Sequence, residues 1–172
     1  MSGTQQLGRW MVVVAWLLLL GLLTLLFSQW LEQRNNPNRD LQVSFDGTGS
    51  GSVVLKRNRA GHYLAPGRIN GVDVNFLVDT GATFVALSSD LADRAGLKRG
   101  VRSQAQTASG VVTSWLTVIE DLQLGSLRMH DVRAAIIPEM PDRQVLLGMS
   151  FLKHLRLEQH QDELIISLPQ AM

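Results

Sequence analysis

The sequence predicts a mainly β domain, a small closed barrel with one or two short helices, preceded by one transmembrane helix. Three observations predict it. An uncharged apolar run opens the chain, short apolar stretches separated by turn signals fill the rest, and few segments there carry a helical pattern. The 172 residues suffice for an anchor and one modest domain. The overall 45% of hydrophobic residues is inflated by the opening run, so the remainder has the composition of an ordinary globular domain. A formal net charge of +1 provides no field that would favour nucleic acid as a partner. The absence of cysteine excludes disulfides, thiolate catalysis and cysteine-ligated metals.

The elements follow in order. Residues 1–9 form a short N-terminal tail. Residues 10–31, Trp10 to Leu31, carry no charge and match the roughly 20 apolar residues that cross a bilayer as a helix. Trp10 and Trp30 stand near the two ends, where amphipathic rings favour the membrane interface. A cleaved signal peptide is the alternative, but the run is longer than a signal core and no A-x-A site follows it. Arg9 precedes the run, and Arg34 and Arg39 follow it, offset by Glu32 and Asp40, so the flanking charge does not fix orientation. Residues 32–52 read as a flexible linker, polar around Asn35-Asn36-Pro37-Asn38 and loose through Gly47-Thr48-Gly49-Ser50-Gly51-Ser52.

Residues 53–169 read as the folded domain. Val53-Val54-Leu55 is a first strand, Asn58-Arg59-Ala60-Gly61 a turn, and His62 to Asn70 a strand broken at Pro66-Gly67. Asn70-Gly71 is a hairpin signal, because both residues tolerate positive φ. Val72, Val74 and Phe76 then alternate with Asp73, Asn75 and Leu77 as in a half-buried strand. Ser88 or Ser89 can cap a helix whose first turn holds Asp90 and whose end is marked by Gly96. Gly125-Ser126 turns a hairpin between Leu116–Leu124 and Leu127–Ile137, and a second short helix is expected from Met149 to His154.

The chemistry concentrates in Asn75-Phe76-Leu77-Val78-Asp79-Thr80-Gly81-Ala82-Thr83. An acid that ends an apolar strand is aimed away from solvent, and burial disfavours its charged form. Thr80 can donate and accept a hydrogen bond, and Gly81 lets the backbone N–H approach the carboxylate. A plain turn in which Asp79 only caps backbone N–H groups is the bland alternative. Other constellations are weaker. Gly148-Met149-Ser150-Phe151-Leu152 half matches a nucleophile elbow but lacks the closing glycine and any α/β context. His62, His130, His154 and His160 have no metal-ligand spacing, so no metal or cofactor is expected. Glu120-Asp121 reads as an exposed strand end, and Trp115 as a core aromatic rather than a pocket wall.

This pattern resembles the active-site signature of the single-lobe, retropepsin-like aspartic proteases. The resemblance extends to the bacterial membrane-anchored subfamily, whose elements appear here as Gly61-His62-Tyr63, Asn70-Gly71, Val78 to Thr83 and Leu146 to Leu152. It implies Asp79 as the catalytic acid in an active-site turn with Thr80, Gly81 and Ala82, and Leu146-Leu147-Gly148 as a loop lying beside that turn. It implies a flap over substrate, placed at Gln104 to Thr113 with Ser109 and Gly110 near the tip. One Asp-Thr-Gly per chain, where the chemistry needs two carboxylates sharing a proton, implies a homodimer. The implied substrate is a peptide or unfolded protein. The implied setting is the inner (cytoplasmic) membrane, single-pass, with the catalytic domain extracytoplasmic or periplasmic. A non-catalytic peptide-binding or envelope-assembly module on the same fold is the alternative.

Overall fold

The computed structural model describes residues 3–45, 51–107, 110–142 and 144–169. The chain divides into two compact units, Met1–Asn35 and Asn36–Met172.

The first unit is helix α1, Gly3–Asn35. It is longer than the apolar run expected at 10–31, because residues on either side continue the helical backbone. The segment Arg9–Ser28 is long and apolar enough to cross a membrane, and none of it is buried against protein. Such a surface is a poor solvent face and a good lipid face.

The second unit begins earlier than expected. Asn38 is 4% exposed, and its side chain donates to the carbonyls of Lys56 and Leu64 (2.9 and 2.7 Å) and accepts from Lys56 N–H (2.7 Å). Residues 32–52 are therefore not a continuous loose linker. They contain the end of α1, the Asn38 clamp, strand β1 (Gln42–Phe45) and the start of β2 (Gly51–Lys56). β1 pairs antiparallel with β2 in the register Gln42↔Val54 to Phe45↔Gly51. Residues 47–50 of the expected glycine-serine run lie outside the described residues.

The remaining elements are β3 (Leu64–Ile69), β4 (Val72–Val78), β5 (Val85–Leu87), α2 (Ser89–Arg94), β6 (Arg102–Thr107), β7 (Gly110–Leu124), β8 (Leu127–Ile136), β9 (Val145–Leu147), α3 (Met149–Leu152), β10 (Arg156–His160) and β11 (Glu163–Ser167). One sheet has the order β1-β2-β11-β10. The other runs β3-β4-β9-β5-β8-β7-β6, and a further pairing of β3 with β7 closes six of its strands into a barrel. Closure depends on Gly67, where a Cβ would stand 2.3 Å from the Gln123 carbonyl oxygen. β3 passes unbroken through Pro66-Gly67. Pro66 faces Asn75 of β4 where β7 does not yet pair, so its missing N–H leaves the ladder intact.

Local signals explain the connections. Asn70 (φ 48°) and Gly71 (φ 82°) make the two-residue turn between β3 and β4. Ser88 caps α2 by accepting from Leu91 N–H (3.1 Å), and Gly96 (φ 69°) follows its end. The hydrophobic core, shared by both sheets and the short helices, is filled by Leu55, Ile69, Phe76, Leu87, Ile119, Leu122, Ile136, Leu147 and Phe151, all fully buried. Each such side chain contributes about 1.5–3 kcal/mol of burial.

Candidate active site

β4 delivers Asp79. Its partner β9 runs parallel to it, in the register Phe76↔Val145, Leu77↔Leu146 and Val78↔Leu147. That pairing sets the turn after β4 against Gly148. Asp79 N–H donates to the Leu147 carbonyl (3.2 Å), Gly81 N–H donates to Asp79 Oδ1 (2.9 Å), and Ala82 N–H donates to the Asp79 carbonyl (3.3 Å). The turn Asp79-Thr80-Gly81-Ala82 is thus held at its base by β9 and from within by its own amides.

α3 braces the far side. Met149 N–H donates to the Ala82 carbonyl (2.8 Å) and Ser150 N–H to the Thr83 carbonyl (2.9 Å). Ser150 Oγ accepts from Val85 N–H (3.0 Å), so this hydroxyl braces the start of β5. Gly148 admits no side chain: a Cβ would lie 2.3 Å from the Phe84 carbonyl oxygen and 2.7 Å from that of Ala82. Leu146, Leu147 and Gly148 are therefore brought together with Asp79, Thr80, Gly81 and Ala82.

Exposure differs from the sequence expectation. Asp79 is half-buried, and Thr80 and Gly81 are exposed. In one chain the three apolar residues before the acid bury the strand, while the carboxylate stays open to one side. Surface depressions of 720, 440 and 340 Å³ occur elsewhere, and none is lined by Asp79.

β6 and β7 form a hairpin, paired from Arg102↔Trp115 to Thr107↔Gly110. Thr107 Oγ1 donates to the Gly110 carbonyl (2.8 Å), Gly110 has φ 120°, and Val111 is 60% exposed. Ser109 lies outside the described residues. Trp115 is half-buried against the core, with the Arg99 guanidinium 5.7 Å from its ring.

Other acids and histidines are engaged elsewhere. Asp121 lies within β7 rather than at a strand end and pairs with Arg128, whose hydrogen bond holds its carboxyl below the usual range. Among the described residues no cluster of histidine and acid could hold a metal. Tyr63, from the Gly61-His62-Tyr63 element, is buried and accepts from the Arg57 guanidinium (3.2 Å). Sequence reading missed one neighbour of the turn. The Arg133 guanidinium stacks 5.6 Å from the centroid of the Phe84 ring. No local signal announces that pair, because only the pairing of β5 with β8 (Val85↔Ala134) brings it together.

Residues 65–154, slightly more than half the chain, match the family described as "gag-polyprotein putative aspartyl protease". The chain belongs to this aspartyl protease family. The matched stretch includes the Asp79 turn, the β6–β7 hairpin and Leu146-Leu147-Gly148. A retropepsin-like aspartic protease from Rickettsia conorii shares the fold, with a TM-score of 0.57 and 22% identity over 75% of this chain and 96% of that one. A curated relative, the "uncharacterized protein in cobV 5′ region" of Sinorhizobium sp, is 31% identical over 123 residues. Those residues are 69% of this family member and 53% of the relative, so the chain spans about half the relative's length.

Proposed function

We propose that this family member is a membrane-anchored aspartic endopeptidase, active as a homodimer whose two copies of Asp79 face each other across a two-fold axis. The observation that carries the reading is the Asp79 turn: one acid per chain, rigidly braced by β9 and α3, with its carboxylate open on one side. A second copy supplies what the single chain lacks. Two carboxylates so close cannot both ionise easily and share one proton. The ionised one takes a proton from water, and the resulting hydroxyl attacks the scissile carbonyl carbon. The protonated one gives its proton to the carbonyl oxygen. Collapse of the tetrahedral diol breaks the C–N bond, with a proton passing to the leaving amine. No covalent enzyme intermediate forms.

Gly81 N–H occupies Oδ1 and so leaves Oδ2 for the partner acid or water. Thr80 of each copy would bond across the axis and lock the two turns. The β6–β7 hairpins, with Gly110 near the tip, would close over an extended peptide bound as a strand. α1 would hold the protein in the inner membrane with the domain extracytoplasmic, and confinement to a surface would favour pairing of copies.

The test is cleavage of a denatured protein by the purified full chain in detergent. Asp79→Asn should reduce the rate by at least about 10²–10⁴-fold, the range of general acid–base catalysis, while the fold is retained. Undiminished cleavage by Asp79→Ala would overturn the proposal.

A further inference from the structure

A depression of about 440 Å³ begins where the active-site turn ends. Phe84 forms one wall. Its backbone is packed on Gly148, the residue after the Leu147 carbonyl that receives Asp79 N–H. Arg133 and Ala134 of β8 and Leu116 to Val118 of β7 continue the lining across the sheet, and Leu97 and Lys98 of the segment after α2 complete it. The depression thus extends from the strand leaving the Asp79 turn, across β8, to the strand that runs on from the β6–β7 hairpin. Phe84 stands five positions after Asp79, a span of at most about 18 Å, so an extended peptide passing Asp79 can reach it within about five residues.

Its chemistry is mixed. Leu97 and Leu116 give it an apolar floor. Arg133 and Lys98 bring two cations, and Glu120 brings one carboxylate. Arg133 is exposed, and its guanidinium plane is held over the Phe84 ring. Among the described residues no carboxylate pairs with Arg133 or Lys98, although six other arginines are so paired, Arg57, Arg68, Arg94, Arg99, Arg128 and Arg156. A guanidinium fixed by an aromatic ring and lacking a carboxylate is suited to bidentate recognition of one supplied from outside.

We propose that this depression is a specificity subsite that takes an acidic residue of the peptide substrate, with Arg133 on Phe84 binding its carboxylate, Lys98 adding charge, and the apolar floor taking its methylenes. The inference rests on the endopeptidase reading and names its substrate class: extended peptides with Glu or Asp within about five residues of the scissile bond. In a two-fold dimer the subsite occurs once on each flank of that bond.

The experiment uses the full chain and matched peptides that carry Glu, Gln or Lys at each position flanking one cleaved bond. The readout is the ratio of kcat/KM for the Glu and Gln peptides, an internal comparison that a general loss of folding or activity leaves unchanged. The expected result is a Glu preference of about three- to tenfold at one or more positions, appearing in KM and shrinking with added salt. Arg133→Gln should abolish it, and Arg133→Glu should turn it into a preference for Lys. A Glu/Gln ratio of one, or a ratio untouched by both variants, overturns the subsite while leaving Asp79-dependent cleavage standing. Should no peptide be cleaved, fluorescence binding of the Glu and Gln peptides to the Asp79→Asn full chain decides it. Equal binding, or no binding, also overturns the subsite.

Discussion

At the scale of the residue, Asp79 and Gly148 act as a pair. Asp79 is the proposed catalytic acid, and Gly148 provides the empty space that lets Ala82 and Phe84 close the turn around it. Gly148→Ala would place a methyl 2.3 Å from a backbone oxygen that cannot step aside like a flexible side chain. It should cost about 1–3 kcal/mol of stability, the usual penalty of overpacking, and lower kcat by shifting the turn. Urea unfolding and steady-state kinetics on one preparation check both. Asn38 carries a comparable load far from the chemistry. Asn38→Ala leaves the Lys56 and Leu64 backbone groups without their buried partner, and a loss of about 2–4 kcal/mol is expected in urea unfolding. The Asp-Thr-Gly-Ala run and the Leu-Leu-Gly element were legible because each residue's task is local or shared by a family. Asn38 was not legible, since its partners Lys56 and Leu64 come from strands distant in the chain. The Phe84–Arg133 stack was hidden for the same reason.

At the scale of the element, turns and caps were the easiest features to read. Asn70-Gly71 and Gly125-Ser126 need a positive φ that few residue types adopt, and the Ser88 cap needs a short side chain with an acceptor oxygen, so local sequence specifies them. Strands without such constraints were harder. β1 reads as linker in the sequence because Gln42–Phe45 alternate over only four residues, too few to signal a strand, and pairing with β2 makes it one. β3 was expected to break at Pro66-Gly67, yet the edge position tolerates the proline and barrel closure requires the glycine. The loop near Asp142 is tied to α2 by Ser88 and Arg94. The Ser88 hydroxyl first, and then the Arg94 guanidinium, hold the Asp142 carboxyl below the ordinary carboxylate range. A depressed folded-state pKa means that this tie contributes fully above the unfolded value, near about 4, and is lost as pH falls through the folded value. Stability of the wild type should therefore fall with acid below about pH 4, and Asp142→Asn should flatten part of that slope. Urea midpoints measured across acidic pH test it; an unchanged slope in the variant would remove the Asp142 tie from the account.

At the scale of the whole molecule, a closed barrel carries a half-buried acid on a braced turn, and the proposed chemistry needs that acid twice. The fold class was legible because strand patterns, turns and scarce helices agree, and the six-stranded closure through β3 and β7 realises it. The exposure of Asp79 was not, because three apolar residues before an acid predict burial of the strand and do not report how open the turn after it is. If copies must meet, α1 would matter through concentration by holding them on one membrane surface. A fragment from Asn36 onward should lose specific activity on dilution and regain it when concentrated, whereas the full chain confined to one vesicle should not. The central claim, that catalysis needs one Asp79 from each of two copies, is tested most directly by mixing wild type with Asp79→Asn under subunit exchange and following activity against composition. If both acids are needed, activity follows the square of the wild-type fraction, so an equal mixture retains about one quarter. A linear decline, with about one half retained, would show that a single chain's acid suffices and would contradict the account.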